Sequence, residues 1–406
     1  MPRQNIITGI DLGSETVRAA VGRVGPEGDL HIIGVSEAPS EGVSKGVINS
    51  IEDAISSISS CVEKAERMVG IPIEHANISI SGIHIISQES KGVVGVSRAD
   101  GEIKEEDVTR VLEAAQTVAT PPNYGILHVL PRSFSVDNQP GIKDPVGMTG
   151  IRLEVDAQII LGLSNQIKNL TKCFYRVGIG IDELVFTILA TAEAVLNKHQ
   201  KELGVAVVNL GNTTTSMACF EEGDILSAKI LPIGSRHITS DIAIGLRIPM
   251  RLAEKIKVRY GTADPQKVSP DSQINFKDLD EAEEGSARRL EVAEIIQARC
   301  EEIFRMADRE LANIDRSGKL PAGIVLTGGG IRLDGIVESA KQTFKLPVSI
   351  GASEGFISSI DKAYDVAFST AVGLVLWSHR FGRLRSTVSR RELGGKIKKW
   401  FKSLLP

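Results

Sequence analysis

The feature that most restricts this chain is a short unit that occurs twice. Near the N-terminus an apolar run, Ile6-Ile7-Thr8-Gly9-Ile10, leads into Asp11-Leu12-Gly13-Ser14, and a second run follows from Thr16 to Val24. After the turn Glu27-Gly28-Asp29-Leu30 a third run continues through Val35. Val205-Ala206-Val207-Val208 leads in the same way into Asn209-Leu210-Gly211-Asn212. Thr214 to Phe220 follows, then the turn Glu222-Gly223-Asp224-Ile225 and a run ending near Ile230. Glycines between apolar runs of this length read as β-hairpins. An offset of about 195 residues is far longer than a solenoid period, so it marks two copies of one domain. The expected fold class is therefore α/β, with two duplicated halves facing each other across a cleft.

A chain of 406 residues holds several domains and a substantial core. Its 42% hydrophobic and 24% charged content is that of a soluble globular protein. A net charge of −4 and 4% aromatic residues provide neither a basic face nor a stacking platform, so no nucleic-acid partner is expected. Cys61, Cys173, Cys219 and Cys300 are far apart and read as reduced, mostly buried thiols of a cytosolic protein. Met1-Pro2-Arg3-Gln4-Asn5 lacks the apolar run of a signal peptide. No stretch reaches the ~18 apolar residues that span a bilayer. Val366 to Trp377, interrupted by Ser369, Thr370 and Gly373, reads as a buried helix.

Between the copies the pattern changes. Ile51, Ile55, Ile58, Val62, Ala65 and Val69 have helical spacing. Ser87 to Ala99 is strand-like, and Lys104 to Val118 reads as a helix opened by Glu105, Glu106 and Asp107. Residues 121–150 are rich in Pro and Gly, with Asp144-Pro145-Val146-Gly147-Met148 read as a turn, while Val155 to Leu163 suits a central strand. This region is expected to be a small α+β insert. Further on, Pro265 to Glu284 reads as loops and short strands, and Val292 to Leu311 as a long helix. Ile324-Val325-Leu326-Thr327 runs into Gly328-Gly329-Gly330, either a base- or ribose-facing turn or a plain strand–helix turn.

The paired loops carry the chemistry. A glycine after a strand end lets the backbone turn with no Cβ in a ligand's way. The amides that follow can form a concave anion nest. Asp11, at the strand end, is placed to hold a metal's water shell. Two such loops on opposite sides of a cleft provide the charge control that β- and γ-phosphates need. A Gly-x-x-x-x-Gly-Lys-Ser/Thr loop, a dinucleotide fingerprint and a nucleophile elbow are all lacking. His84, His128 and His237 read as structural.

At the C-terminus, Ile397, Trp400, Phe401, Leu404 and Leu405 share one helical face, and Lys396, Lys398, Lys399 and Lys402 occupy the others. The basic segment 382–395 precedes them as a linker. A basic amphipathic helix on a linker fits an anionic membrane surface; the alternative is packing on the protein's own body.

The three glycine loops, in this order, resemble the phosphate-1, phosphate-2 and adenosine motifs of the actin/Hsp70/sugar-kinase superfamily. Within it the chain resembles the FtsA family of bacterial cell-division actin homologues. Matching stretches include Asp144-Pro145-Val146-Gly147-Met148-Thr149-Gly150, Ala253-Glu254-Lys255-Ile256-Lys257 and Gly323-Ile324-Val325-Leu326-Thr327-Gly328-Gly329-Gly330. The resemblance implies an actin-like fold of two RNase H-like halves, with subdomain 1A at 1–83, 164–200 and 364–381. It places an insert subdomain 1C at 84–163, 2A at 201–249 and 319–363, and 2B at 250–318.

It also implies ATP and Mg²⁺ between the halves. Asp11, Gly13 and Ser14 would meet phosphates and metal from one side, and Asn209, Gly211, Asn212, Thr213 and Thr214 from the other. Glu254 and Lys257 would reach ribose and adenine, although a surface ion pair is the plainer reading of that pair. Gly328, Gly329, Gly330 and Arg332 would complete the base pocket. Two departures bear on catalysis. Asn209 stands where the superfamily usually has aspartate, and Thr187 where hydrolytic relatives place a water-orienting Glu or Gln. Threonine is a poor general base, so the expectation is ATP binding with weak or absent hydrolysis and no confident catalytic residue. The implied partners are further copies in a filament, the C-terminal tail of the tubulin-like protein FtsZ, other division proteins and the cytoplasmic face of the inner membrane. Arg299 is the single candidate contact for the acidic tail; its alternative is a solvated helix residue. A PilM-like pilus-assembly actin relative and a soluble actin-fold kinase are the competing readings.

Overall fold

A computed structural model describes residues 6–98 and 100–382, so the expected terminal helix and all of the linker but Gly382 lie outside the described residues. β1 (Ile6–Leu12) pairs antiparallel with β2 (Thr16–Val24), which pairs with β3 (Leu30–Pro39). Leu12 lies opposite Val17, so Gly13, Ser14 and Glu15 form the connecting loop. A small hairpin, β4 (Val43–Ser44) and β5 (Val47–Ile48), precedes α1 (Ile51–Val69). Ala54, Ile58, Cys61, Val62 and Ala65 of α1 are buried, the face that its helical spacing predicts. Ser50 caps its start by accepting from the Asp53 amide, and Gly70 ends it in the left-handed region. β6 (His75–Ile80) then runs parallel to β1.

The insert follows as β7 (Ile86–Gly95), α2 (Glu105–Ala119), β8 (Tyr124–Val136), β9 (Gln139–Ile142) and β10 (Arg152–Leu163). Its strands form a sheet in the order β7-β10-β8-β9, around a core that includes Val111, Leu112, Phe134, Leu153 and Ile159. Residues 121–150 thus hold two strands besides the turn expected at Asp144 to Met148, where the Met148 amide donates to the Pro145 carbonyl at 3.1 Å. Pro131 opposes Ala157 beside a register shift, and a bulge is where a strand accommodates a residue without an amide hydrogen.

The chain re-enters the first half as α3 (Ser164–Val177), β11 (Gly180–Phe186) and α4 (Thr187–Val195), with β11 parallel to β6. After α5 (Lys198–Leu203) the second copy begins with β12 (Val205–Leu210), β13 (Thr215–Glu221) and β14 (Asp224–Leu231). Its helical part comprises α6 (Ser235–Leu246), α7 (Met250–Tyr260) and α8 (Arg289–Asn313). Between α7 and α8 lies a two-stranded ribbon of β15 (Gln273–Asn275) and β16 (Ser286–Arg288). β17 (Ile324–Thr327), α9 (Ile336–Phe344) and β18 (Val348–Ile350) finish the sheet.

The two large sheets have one topology, β3-β2-β1-β6-β11 and β14-β13-β12-β17-β18, three antiparallel strands extended by two parallel ones. The duplication read from the strand runs therefore extends through all five strands. α10 (Ser369–Trp377) returns to the first half and packs on β1 and α4. The approach is close enough that a Cβ on Gly373 would stand 2.0 Å from the Ala190 carbonyl oxygen. The expected buried helix is present, starting three residues later than the apolar run.

Candidate functional site

Both glycine loops sit at strand ends of equivalent position, between β1 and β2 and between β12 and β13, and open on one cavity of about 820 Å³ between the halves. Asp11, Gly13, Ser14, Asn209, Gly211, Asn212, Thr213, Thr214, Glu254, Lys257, Gly328, Gly329, Gly330 and Arg332 all line it. The loops touch. The Thr213 hydroxyl donates to Ser14 Oγ at 2.8 Å, and Asn212 Nδ2 donates to a Glu15 carboxylate oxygen at 2.6 Å. The second loop is fixed from behind, since the amides of Ser235 and Arg236 donate to the carbonyls of Gly211 and Asn212 at 2.9 and 2.8 Å.

Asp11 accepts a hydrogen bond from the Ser79 hydroxyl at 2.7 Å. Burial raises its pKa above the usual carboxylate value, against the opposing effects of that bond and of the Arg18 charge. A cation placed beside it would supply the charge compensation that the site lacks. Asn209 is held differently. Its Nδ2 donates to Thr191 Oγ1 and Thr370 Oγ1, each at 3.4 Å, which anchors it between α4 and α10. The Thr187 hydroxyl is spent on the Ile80 carbonyl at 3.0 Å.

On the opposite wall, the Thr239 hydroxyl links the pair one helical turn apart on α7. Thr239 donates to Glu254 at 2.5 Å and accepts from Lys257 Nζ at 2.9 Å, and Lys257 also pairs with Glu254 at 2.7 Å. The cluster is thus a part-buried network on the cavity wall, more than a surface ion pair. Gly328 has φ +92°, and a Cβ there would stand 2.2 Å from Asn209 Oδ1. A Cβ on Gly329 would have only Ala367 within 4.0 Å, so the glycine leaves cavity space open. Arg332 forms an ion pair with Asp365.

Arg18, Lys45 and Ser79 take part in this site without a sequence signal of their own. Arg18 lies opposite Asp11 in the β1–β2 register and lines the cavity. Its Nε is buried without a hydrogen-bond partner among the described residues, with Glu37 at 3.4 Å. The Lys45 amide donates to Thr213 Oγ1 at 3.1 Å from the β4–β5 turn. The Arg18 guanidinium on the cavity wall, hydroxyls on both loops and glycine-lined walls together fit a polyanionic ligand.

Arg299 lies apart from the cavity, on α8. Its guanidinium grips Asp241 of α6 with two bonds, at 2.5 and 2.8 Å, and Glu302 with a third at 2.5 Å. The Asp241 pairing raises its pKa further. It is a bridge between two helices and not a solvated residue.

Comparison with known proteins adds independent findings. The family model described as the SHS2 domain inserted in FtsA matches residues 82–161, and that described as cell division protein FtsA matches residues 206–373. The cell division protein FtsA of Pseudomonas aeruginosa is 36% identical over 372 residues, covering 92% of this chain and 89% of its own length. That of Escherichia coli K12 is 32% identical over 408 residues, covering 99% and 97%. Among solved structures, the PilM-PilN type IV pilus biogenesis complex aligns with a TM-score of 0.66 at 14% identity, covering 91% of this chain and 97% of its own. MreB5 of Spiroplasma citri bound to ADP aligns with a TM-score of 0.56 at 13% identity, covering 95% and 100%. The same MreB5 bound to AMPPNP gives 0.56 at 14%, covering 94% and 98%. The fold is actin-like, with an insert of the SHS2 type.

Proposed function

The chain belongs to the FtsA family of cell-division proteins, and on that premise we propose that it is an ATP-binding, actin-like polymer that tethers FtsZ filaments to the cytoplasmic membrane. The observation that carries the nucleotide part is the meeting of both glycine loops at one polar cavity. ATP lies between the halves with its phosphates at Ser14, Gly211 and Thr213. When bound, Mg²⁺ neutralises phosphate charge; Asp11 is the protein carboxylate that holds it, since Mg²⁺ sites use one or two carboxylates plus phosphate oxygens. Among the described residues there is no cluster of three or more His, Cys, Asp or Glu that could hold a metal alone. Glu254 and Lys257 face the ribose and adenine, and Gly328 to Gly330 with Arg332 close the base side.

Hydrolysis is weak or absent in this reading. The Thr187 hydroxyl proton is committed to a carbonyl, and Asn209 brings no charge to a second metal-facing position. Nucleotide then acts as a clamp between the halves and a switch for polymerisation. The resemblance to the PilM complex is one of fold at 14% identity and supports no pilus role.

Membrane attachment rests on the C-terminal segment. No helix among the described residues is long and apolar enough to cross a membrane. Each lysine near an anionic surface contributes about 1 kcal/mol, so Lys396, Lys398, Lys399 and Lys402 give roughly 4. Ile397, Trp400, Phe401, Leu404 and Leu405 add apolar burial, less the cost of folding the helix. One helix therefore attaches reversibly, and a filament of many attaches firmly through avidity. The protein works at the division site on the cytoplasmic face, where it also helps recruit other division proteins. Co-sedimentation with anionic liposomes, with and without FtsZ filaments, tests the proposal. Protein and FtsZ should pellet together with the liposomes, and replacing Trp400 and Phe401 by Glu should leave both in the supernatant. Persistent association of that variant would overturn the anchor.

A further inference from the structure

One contact across the cleft reaches the second glycine loop from a turn outside both loops. The two-residue turn between Ser44 and Val47 is made by Lys45 and Gly46, at φ +51° and +72°. Two successive left-handed residues are what a tight hairpin turn of this type requires, and glycine or asparagine is the residue that fits there at least cost. Lysine at the first position is held in a conformation that side-chain-bearing residues seldom adopt, and such outliers concentrate at ligand clamps and switches. The turn is aimed at the other half of the molecule, because the Lys45 amide donates to Thr213 Oγ1 at 3.1 Å. That same Thr213 hydroxyl donates to Ser14 at 2.8 Å, so amide, threonine and serine form one chain of donors across the phosphate end of the cavity.

The turn is also wedged against the start of the insert. A Cβ on Gly46 would stand 2.4 Å from Gly82 Cα, and the Ile83 amide donates to the Lys45 carbonyl at 3.4 Å. Behind Gly82 lies His84, whose two ring nitrogens are buried without a partner among the described residues. Gly46 and Ser81 line both the nucleotide cavity and the small hollow that His84 lines. Movement of the turn by an ångström is therefore felt at residues 81–84, the root of β7.

We infer that the Lys45–Gly46 turn senses the terminal phosphate of a nucleoside triphosphate and passes its position to the insert through Gly46 and Gly82. The inference rests on the nucleotide reading of the cavity. An anion entering between Ser14 and Thr213 takes over the hydroxyls that now bond to each other. The Lys45 amide loses its present acceptor and gains a phosphate oxygen, and the exposed Lys45 ammonium adds charge from the same turn. A diphosphate reaches less far and leaves the turn on Thr213. The turn thereby separates triphosphate from diphosphate, and the insert moves only with the former.

Calorimetric titration of the full chain with ATP, ADP and a non-hydrolysable ATP analogue tests this, together with hydrogen exchange across residues 82–95. Lys45→Asn is the main variant, since asparagine suits the left-handed turn and removes the ammonium. It should weaken the two triphosphates about tenfold, the scale of one charge-assisted bond, while ADP affinity stays within about twofold. In the unaltered protein the triphosphate, and not ADP, should slow exchange over 82–95. Gly46→Ala, which pushes the turn off Gly82 and carries the Lys45 amide with it, should abolish that slowing even at triphosphate concentrations that saturate the variant. Equal weakening of ATP and ADP by Lys45→Asn, or exchange over 82–95 that ignores the third phosphate, would overturn the sensor. Absence of any nucleotide binding by the unaltered chain would instead bring down the reading on which the sensor rests.

Discussion

Thr213 donates its hydroxyl to Ser14 Oγ at 2.8 Å, which joins two loops 199 residues apart in the chain. The bond spans the place where each copy of the repeated unit turns from its first strand to its second. Symmetry at the level of topology thus becomes contact at the level of side chains. A ligand that enters there must replace this bond, and it regains the loss only if it presents acceptors to both hydroxyls. Phosphate oxygens do so, and an apolar group does not.

Thr213→Val removes the donor and keeps the shape. It also leaves the Lys45 amide without its acceptor in the free protein, a bond that a phosphate oxygen replaces on binding, so the loss of affinity measures the Thr213 donor itself. ATP affinity measured by calorimetry should fall about tenfold or more. An unchanged affinity would take Thr213 out of the phosphate site.

Asn209→Asp tests the missing charge. The amide's nitrogen now bonds to Thr191 and Thr370 at 3.4 Å each, long contacts whose loss should cost no more than about 1 kcal/mol of stability. Thr370 can turn its hydroxyl toward the new carboxylate and keep one bond. A second carboxylate in the cavity that Asp11 also lines should tighten Mg²⁺-assisted ATP binding, with the half-saturating Mg²⁺ concentration falling about tenfold. If titrations of nucleotide at several Mg²⁺ concentrations superimpose for the two proteins, position 209 does not face the metal.

Much of this site was legible in the residues because strand, glycine turn and strand are local signals. The repeated runs Ile6 to Val24 and Val205 to Phe220 carry their own alternation and punctuation, and the helical spacing of α1 needs no tertiary information. β8 was missed because Pro131 and the flanking glycines mimic a turn-rich loop, and only the bulge opposite Ala157 makes the proline acceptable. The roles of Arg18 and Lys45 are set by register and by a turn that reaches across the cleft, neither of which a linear pattern encodes. The state of Arg299 depends on Asp241, 58 residues earlier, so a sequence alone leaves it a plain charged helix position. The apolar face of Ile397, Trp400, Phe401, Leu404 and Leu405 lies outside the described residues and stands on its periodicity.

Arg299 cannot serve an acidic tail while both its bonds to Asp241 persist unless the tail shares or displaces that carboxylate. Asp241→Asn should therefore free the guanidinium and tighten binding of an FtsZ tail peptide about threefold, whereas Arg299→Glu should weaken it tenfold or more, at roughly the scale of a removed and reversed charge. Fluorescence anisotropy with a labelled peptide gives both values. A tail that binds both variants as it binds the parent protein docks elsewhere.

Glu193 sets an acid-sensitive joint at the edge of the first half. Its carboxylate accepts from Lys201 of α5 at 2.5 Å and from Arg380, just beyond α10, at 2.8 Å. The Glu193 and Lys201 side chains are each only 12% exposed, so water screens the pair little. Burial alone would raise the carboxylate's pKa, but the two cations outweigh it and hold the pKa below the ordinary 4.5. A depressed pKa means that the charged form is favoured by folding. The stabilisation is present in full above pH 4.5 and disappears as the pH falls through the lower, folded-state value. Glu193→Gln should thus cost roughly 1–3 kcal/mol at pH 7, because two cations lose their charged partner. As the pH is lowered the parent protein loses the same increment and the variant does not, so their unfolding midpoints should converge. Thermal unfolding of both proteins at several pH values from 7 downward checks this. A midpoint difference that stays constant into acid would assign the effect of Glu193 to packing and hydrogen bonding, with its charge contributing nothing to the joint between α4, α5 and the segment after α10.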